Sequence, residues 1–340
     1  MSAESTSLHR VAVVIPCYKV AAHVVELVGR IGPEVGMIVA VDDACPQGSG
    51  RLLQQQCDDP RLTVVFHDVN RGVGGAVMTG YRHAIAANAD VIVKVDGDGQ
   101  MDPTLVPRLV APILGGQADY TKGNRFYDLS RIGQMPAIRL FGNAVLSFMA
   151  KLSTGYWGMF DPTNGFTAIS GRVAAHLPLG KISKRYFFET DVLFRLNTLR
   201  AVVVDMPMHA HYGDEESSLR ISRILFEFLA KHVRNLGKRI FYNYVLRDMS
   251  VASLELAAGV VLLGFGSVFG VYHWLKAMAA GTATPLGTIM FSVLPILVGL
   301  QLLLAFLAYD IANVPRRPVA GDLPPPEPDM PEAGGDTEVN

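Results

Sequence analysis

The residues best suited to do chemistry lie in VIVKVDGDGQMDP, the stretch from Val91 to Pro103. An apolar run stops there at Asp96 and Asp98, with one glycine between them and Asp102 close behind. Two carboxylates one residue apart repel each other unless a cation sits between them. Gly97 lets the backbone bend so that both can face one ion. A hard divalent cation with oxygen ligands, Mg²⁺ or Mn²⁺, suits that donor set and typically adds phosphate oxygens to it. The bland alternative is an acidic surface turn, and the buried strand in front weighs against it.

Asp42 and Asp43 close a second apolar run, MIVAVDD. Carboxylates at such strand ends often accept hydrogen bonds from a base or ribose, so two acidic strand ends in one sheet suggest a nucleotide whose diphosphate is bridged by metal. Asn70, Arg71 and Gly72, followed by VGGAVMTG, resemble a phosphate-cradling loop at a helix start, although the Walker lysine and the G-x-G-x-x-G order are both missing. His209 and His211 in MPMHAHYGDE would share one face of a strand; a core or interface role outweighs a metal pair there. Trp157 in TGYWGMFD is either a pocket wall or a packing residue, and packing is favoured.

These residues need a frame. From about Leu8 to Asp205, the β-branched runs VAVVIPCY, MIVAVDDAC, LTVVFHD and VIVKVDGDG alternate with the helical stretches AAHVVELVGRIG, GSGRLLQQQC and GGAVMTGYRHAIAAN. Continuous hydrophobicity predicts strands covered on both faces, hence an α/β domain with a mainly parallel sheet. Such open sheets place their ligand crevices at the C-terminal strand ends, where the four aspartates fall.

After Leu254 the composition changes. Leu256 to Leu275 is a charge-free run of 20 residues, and Ala277 to Tyr309 is another of 33, interrupted by the turn-like AAGTATP. Each can cross a hydrocarbon core of roughly 30 Å at about 1.5 Å per helical residue, which predicts a transmembrane hairpin. Arg234, Lys238, Arg239 and Arg247 precede it, Arg316 and Arg317 follow it, and Lys276 alone sits in the connection. The positive-inside rule then puts the α/β domain and both termini in the cytoplasm, with the protein held in the cell membrane. Ser217 to Asp248 carries seven cations against Glu227 and Asp248, a net +5, interleaved with apolar residues at helical spacing. That pattern predicts a basic amphipathic helix in the membrane interface. Gly259, Gly264, Gly266 and Gly270 would permit close packing between subunits of a homo-oligomer. The Pro- and acid-rich tail is expected to be disordered. The boundaries expected are 1–216 for the catalytic domain, 217–250 for the juxtamembrane helices, 251–313 for the hairpin and 314–340 for the tail.

Composition narrows the class further. Half of the 340 residues are apolar, which excludes a disordered chain, and a formal charge of −1 gives no sign of a nucleic-acid partner. Cys17, Cys45 and Cys57 make an odd count without a C-x-x-C pair, as free thiols in a reducing compartment would. The polar start MSAESTSLHR leads straight into a strand, so no secretory signal is expected.

In order, VVIPCYKV, VDDACPQGS, NRGVGGAVMTGYRHA, VDGDGQMDP, KGNRF, DPTNGFTAIS and FFETDVLFRL resemble the motif series of family 2 glycosyltransferases. The set looks like the polyprenyl-phosphate glycosyltransferases related to dolichyl-phosphate mannose synthase, and the resemblance spans Val11 to roughly Leu246. It implies a GT-A-type domain that moves a hexose from a UDP- or GDP-linked donor to a polyprenyl phosphate, with inversion and with Mg²⁺ or Mn²⁺. By position it implies nucleotide binding by Pro16, Tyr18, Asp42, Asp43, Asn70, Gly72 and Asp96, and a metal and diphosphate site of Asp96, Asp98 and Gln100. Arg125 matches a position associated with the sugar or acceptor phosphate, and Arg139, Arg220 and Arg223 are further candidates to hold that phosphate. Glu189 and Asp191 fall at the acidic motif near the acceptor, and Asp161 in the neighbouring loop. Asp191 or Asp161 acts either as a base or as a positioning group, because a lipid phosphate is already ionised near neutral pH. In SSLRISR the basic residue that the family places directly after the second serine is Leu219 here, with Arg220 one later.

Three other readings compete. A family 2 polysaccharide or glycolipid synthase is disfavoured because Q-x-x-R-W is absent and two spans are too few for a polymer channel. A non-catalytic, membrane-tethered nucleotide-sugar binder has no need of the whole acidic set. A nucleotidyltransferase would carry a glycine-rich loop with Arg and Lys after its first strand, and VVIPCYKVAAH does not.

Overall fold

The computed structural model describes residues 10–127, 137–208 and 221–325, with the side chains of 137–140 and 221–225 outside that description. The chain divides into two compact units: residues up to 147, 159–219 and 315 onward form the first, and residues 148–158 and 220–314 the second.

Seven strands form the sheet of the first unit: β1 (Val11–Cys17), β2 (Met37–Asp42), β3 (Leu62–Phe66), β4 (Val91–Lys94), β5 (Tyr120–Asn124), β6 (Thr167–Ser170) and β7 (Val203–Pro207). Their order is β3-β2-β1-β4-β6-β5-β7. All pairs are parallel except those of β6, which runs antiparallel to β4 and β5. The continuous apolar runs of β1, β2 and β4 are buried almost throughout, as two covered faces require. On one face, Val13, Ile15, Ile38, Ala40 and Val93 pack with Leu27 and Val28 of α1 (Val24–Gly29) and with Leu109 and Val110 of α4 (Val106–Leu114). Between them in sequence lie α2 (Ser49–Gln56) and α3 (Val73–Ala86).

The strand order steps from β1 to β2 and β3 on one side, then returns to place β4 on the other. That reversal is the topological switch point at which open α/β sheets open a crevice, and it falls between β1 and β4. Because β6 runs the opposite way, its beginning shares an edge with the C-terminal ends of the other strands. The Asp161–Asn164 turn is thereby brought to the same rim as Asp96 and Arg125.

Beyond β5 come α5 (Ala137–Thr154), the short α6 (Gly171–Ala175) and α7 (Phe188–Leu199). The start of α3 meets the segment leading into α7. Gly72, at φ 81°, and Gly74 lie against the Lys184 and Ser183 carbonyls, so that any side chain at either position would collide. Gly75 N donates to Lys184 O at 3.3 Å. The glycine run read as a phosphate cradle therefore has a packing cause, the close approach of two backbones.

The tail corrects an expectation. Disorder was expected from 314, yet Val319 N and Ala320 N donate to the fully buried Asp119 carboxylate at 2.9–3.0 Å, and Arg172 donates to Ala320 O. A buried carboxylate requires donors, and this segment supplies two of them. Residues 326–340 lie outside the described residues.

The second unit contains α8 (Ile221–Phe241), which passes into a π-helical turn (Tyr242–Arg247), then α9 (Val251–Ala280) and α10 (Leu286–Ala312). The last two are 30 and 27 residues long with mean hydropathy 2.0 and 2.4, and only 11% and 17% of their most apolar windows is buried. Long, apolar and bare, they are candidate membrane spans. Where they meet, Gly259 lies against Leu303 and the Gly299 carbonyl, Gly266 against the Ser292 carbonyl, and Gly270 against the Ser292 hydroxyl. Ser292 Oγ donates to Gly266 O at 2.9 Å. Three of the four glycines expected to pack between subunits thus serve the hairpin itself, while Gly264 faces open space.

In the same unit Asp310, in the last turn of α10, accepts from Arg239 at 2.6 and 3.0 Å, from the Tyr244 hydroxyl at 2.5 Å and from Trp157 Nε1 at 2.8 Å. Arg239, counted above among the interfacial cations, is instead buried as the counter-charge that a buried aspartate demands.

Candidate active site

β4 ends at Lys94 and the chain leaves the sheet through Asp96. A side chain on Gly97 would press on Val20 and lie 3.3 Å from the Pro16 carbonyl, so glycine lets this turn lie against the end of β1. Asp98 Oδ1 accepts from Gln100 N at 3.0 Å, an Asx-type turn completed by Gly99 at φ 76°. Asp102 has a separate duty. It caps the 3-10 helix Pro103–Leu105 through Thr104 N and pairs with Arg30 at 3.0 Å.

Two buried lysines organise the rim, and neither was singled out from the sequence. Lys94 Nζ lies 2.7 Å from Asp96 Oδ1 and 3.7 Å from Glu189 Oε1. Burial alone would push its pKa down, but Asp96 and then Glu189 outweigh that and hold the ammonium above its ordinary value. Glu189, in the first turn of α7, is pushed up to about 7 by burial, with Lys94 opposing. A side chain at Gly165 would run into both Lys94 Nζ and Asp96 Oδ2, so either it or they would have to move.

Lys122 occupies the corresponding position on the other side of β6, since both lysines are register partners of Thr167. Its Nζ donates to the Phe160 and Asp161 carbonyls at 2.5 and 2.7 Å and lies 3.3 Å from Asp205. Burial lowers its pKa against the pull of Asp205. This clamp fixes Asp161 in a left-handed conformation, φ 51°, with its carboxylate aimed at Arg125. Arg125 grips that carboxylate with Nε at 2.7 Å and a terminal nitrogen at 2.8 Å, and Asn164 donates at 3.1 Å. Burial would raise the Asp161 pKa, but the Arg125 hydrogen bonds and charge hold it below the usual carboxylate range. The signal for both lysines was present as a lone cation inside a strand, in VIVKV and YTKGN.

Asp42 and Asp43 are differently employed from what strand-end position suggested. Asp42 accepts from Cys45 N and Gly50 N, both at 2.7 Å, while Asp43 accepts from Arg71 N and Gly72 N at 2.8 Å and meets His67 Nδ1 at 2.7 Å. Asn70 Nδ2 donates to the Asp43 carbonyl. Both carboxylates are buried, so they shape the two loops beside the crevice from within. Asp191 is likewise buried, accepting from Ser183 N at 2.8 Å, whereas Tyr18, next to Pro16 at the end of β1, is exposed. The structure thus brings together Asp96, Glu189, Lys94 and Gly165 in one cluster and Arg125, Asp161 and Lys122 in another. The side chains of Arg139 and Arg223, and the whole of His209, His211 and Arg220, lie outside the described residues.

The model of glycosyl transferase family 2 matches residues 12–177, which hold β1 but for Val11, β2 to β6 and the Asp96–Asp98 turn. Residues 12–177 are a family 2 glycosyltransferase domain. Three relatives match over 189, 204 and 205 residues. A UDP-N-acetylglucosamine–dolichyl-phosphate N-acetylglucosaminyltransferase of Methanococcus voltae is 28% identical, covering 56% of this chain and 70% of the relative. An undecaprenyl-phosphate mannosyltransferase of Micrococcus luteus is 29% identical over 58% of this chain and 82% of its own. A polyprenol monophosphomannose synthase of Mycolicibacterium smegmatis is 28% identical over 58% and 76% respectively. Among solved structures, glucosyl-3-phosphoglycerate synthase from Mycobacterium tuberculosis superposes with a TM-score of 0.53 at 20% identity, over 67% of this chain and 80% of that one, a likeness of fold.

Whether this glycosyltransferase domain fits a divalent ion is decided by its donors. Among the described residues no group of three or more His, Cys, Asp or Glu could hold one unaided. Asp96, Asp98 and Gln100 share one partly exposed turn, and Gly165 keeps the space beside Asp96 clear of any side chain. Two carboxylates and an amide leave positions for phosphate oxygens, the usual arrangement for Mg²⁺. The residues present fit an ion that arrives with a diphosphate.

Proposed function

We propose that this chain transfers a hexose from a nucleoside diphosphate sugar, UDP- or GDP-linked, to a polyprenyl phosphate, with inversion. What carries the reading is that three relatives, each matched over 70% or more of its own length, are named for sugar transfer to a lipid phosphate. The candidate spans support it, because such an acceptor lives in a membrane. So do the exposed apolar residues Phe141, Val145 and Phe148 of α5 and Phe226, Leu229 and Val233 of α8, spaced to line one side of each helix against lipid. In this reading the catalytic unit and both termini lie in the cytoplasm, with the cations flanking the hairpin on that side.

Asp96, Asp98 and Gln100 would hold Mg²⁺ or Mn²⁺, which when bound supplies positive charge to the departing diphosphate. Pro16, Tyr18 and the loops shaped by Asp42 and Asp43 line the nucleotide end. Arg125, fixed by Asp161, receives the acceptor phosphate with Arg139, Arg220 and Arg223. The phosphate oxygen is already anionic, so it attacks without a base. Asp161 acts as the group that orients Arg125, since taking a proton would break that grip. Asp191 holds the loop before α7, and Glu189 stands beside the donor end.

The test uses the full chain in detergent micelles with polyprenyl phosphate, Mg²⁺ and radiolabelled UDP- and GDP-sugars. Label is expected in the organic phase, dependent on metal and reduced at least a hundredfold by Asp98→Ala. Label that stays with a water-soluble product would instead assign a different acceptor.

A further inference from the structure

Lys94 stands out as a full charge deep in the domain. Its side chain is 1% exposed and its Nζ lies 5.2 Å from the centre of the Phe188 ring. Its charged neighbours are Asp96 Oδ1 at 2.7 Å and Glu189 Oε1 at 3.7 Å. An ammonium buried in a strand is costly to desolvate, and a lysine there gains nothing for packing that Met or Leu would not. Gly165 is constrained by the same atom, since any side chain there would displace Nζ.

Asp96 is also one of the carboxylates that fit a divalent ion. An ion bound there has to share it with an ammonium already in contact, and like charges at such distances repel strongly where water is scarce. A nucleoside diphosphate reverses that balance, because it brings more negative charge than the ammonium removes. We propose that Lys94 is the resident cation of the site: it keeps Asp96 and Glu189 together in the empty enzyme, and it makes divalent-ion binding conditional on the diphosphate. Lys94 is in this sense a positioning residue that orders loading, with metal and donor entering as one. The inference rests on the donor-site reading above.

Mn²⁺ bound to the full chain in micelles, measured as metal that stays with the protein after separation from free ion and free Mn²⁺–nucleotide complex, tests it without any turnover. Wild type, Lys94→Met and Lys94→Arg are titrated with Mn²⁺ alone and with UDP or GDP present, and each is melted with and without Mn²⁺. Wild type is expected to bind Mn²⁺ alone at least tenfold more weakly than with one of the two nucleotides. Lys94→Met is expected to bind Mn²⁺ alone at least tenfold more tightly than wild type, with the gain from nucleotide reduced to match, and Lys94→Arg to stay near wild type. A Lys94→Met protein that unfolds without Mn²⁺ and is restored by it also supports the proposal, because the ion then replaces the ammonium. A folded Lys94→Met protein that binds Mn²⁺ no tighter than wild type overturns it, as does one that Mn²⁺ cannot restore. In either case, nucleotide-dependent Mn²⁺ binding by wild type leaves the donor-site reading standing. Absence of Mn²⁺ binding in every protein, with or without nucleotide, removes that reading as well.

Discussion

Arg125 and Asp161 show how much of this site is spent on holding itself still. The carboxylate is 1% exposed on its side chain, and two guanidinium hydrogen bonds keep it charged. Arg125→Ala should strip that partner and cost about 1.5–3 kcal/mol, because Arg125 is partly exposed and Asp161 keeps Asn164 as a donor. The double variant Arg125→Ala with Asp161→Asn should cost less than the single one, since the orphaned charge has gone. Asparagine also tolerates the left-handed backbone at this position, whereas Asp161→Ala adds strain. Denaturant unfolding of the four proteins in micelles measures this, and a double variant less stable than Arg125→Ala would refute the account.

At the scale of elements, α8 carries a buried titratable group. His232 is 3% exposed, its Nδ1 meets Ser153 Oγ at 2.8 Å, and burial lowers its pKa from 6.5 to about 4. A histidine depressed in the fold contributes stability that is present above pH 6.5 and is lost as pH falls toward 4, because the unfolded chain takes up the proton first. Between those limits the loss should be on the order of 3 kcal/mol, and His232→Gln should flatten that part of the profile. Melting temperatures at pH 7 and pH 4.5 decide it; an equal slope in the variant would count against the mechanism. The elements themselves were largely legible in the sequence. Continuous apolar runs gave β1, β2 and β4, and the charge-free runs gave α9 and α10. β6 was not legible, because four residues, TAIS, carry no mark of direction, which is decided by their pairing with β4 and β5. Glycines are ambiguous in two places. An absent side chain looks the same whether a phosphate, a partner subunit or the chain's own atoms need the room, and the chain's backbone lies against Gly72, Gly74 and Gly266, the Leu303 side chain against Gly259. Lys94 and Lys122 were visible as letters, but their partners Glu189, Phe160 and Asp205 lie far along the chain and come together only in the fold.

On the scale of the whole molecule, the first unit includes chain from beyond both candidate spans. Asp119 accepts from Val202 N at 2.7 Å as well as from Val319 N and Ala320 N, joining the entrance of β5, the approach to β7 and the tail at one carboxylate. A chain ended at residue 314 loses two of those donors and should be destabilised by roughly 3 kcal/mol, at about 1.5 kcal/mol per charged hydrogen bond. Asp119→Asn should do similar damage in the full chain and much less in the shortened one, a non-additivity that thermal melting of the four proteins would show. The tail's attachment also bears on how the protein is made. Residues 1–314 leave the ribosome before Val319 does, so in the nascent first unit Asp119 has Val202 N but lacks its two tail donors until both apolar helices have been synthesised. The first unit is thus finished only after both apolar helices have been made, and a chain interrupted within the hairpin is left with a loosened sheet that proteases can grip.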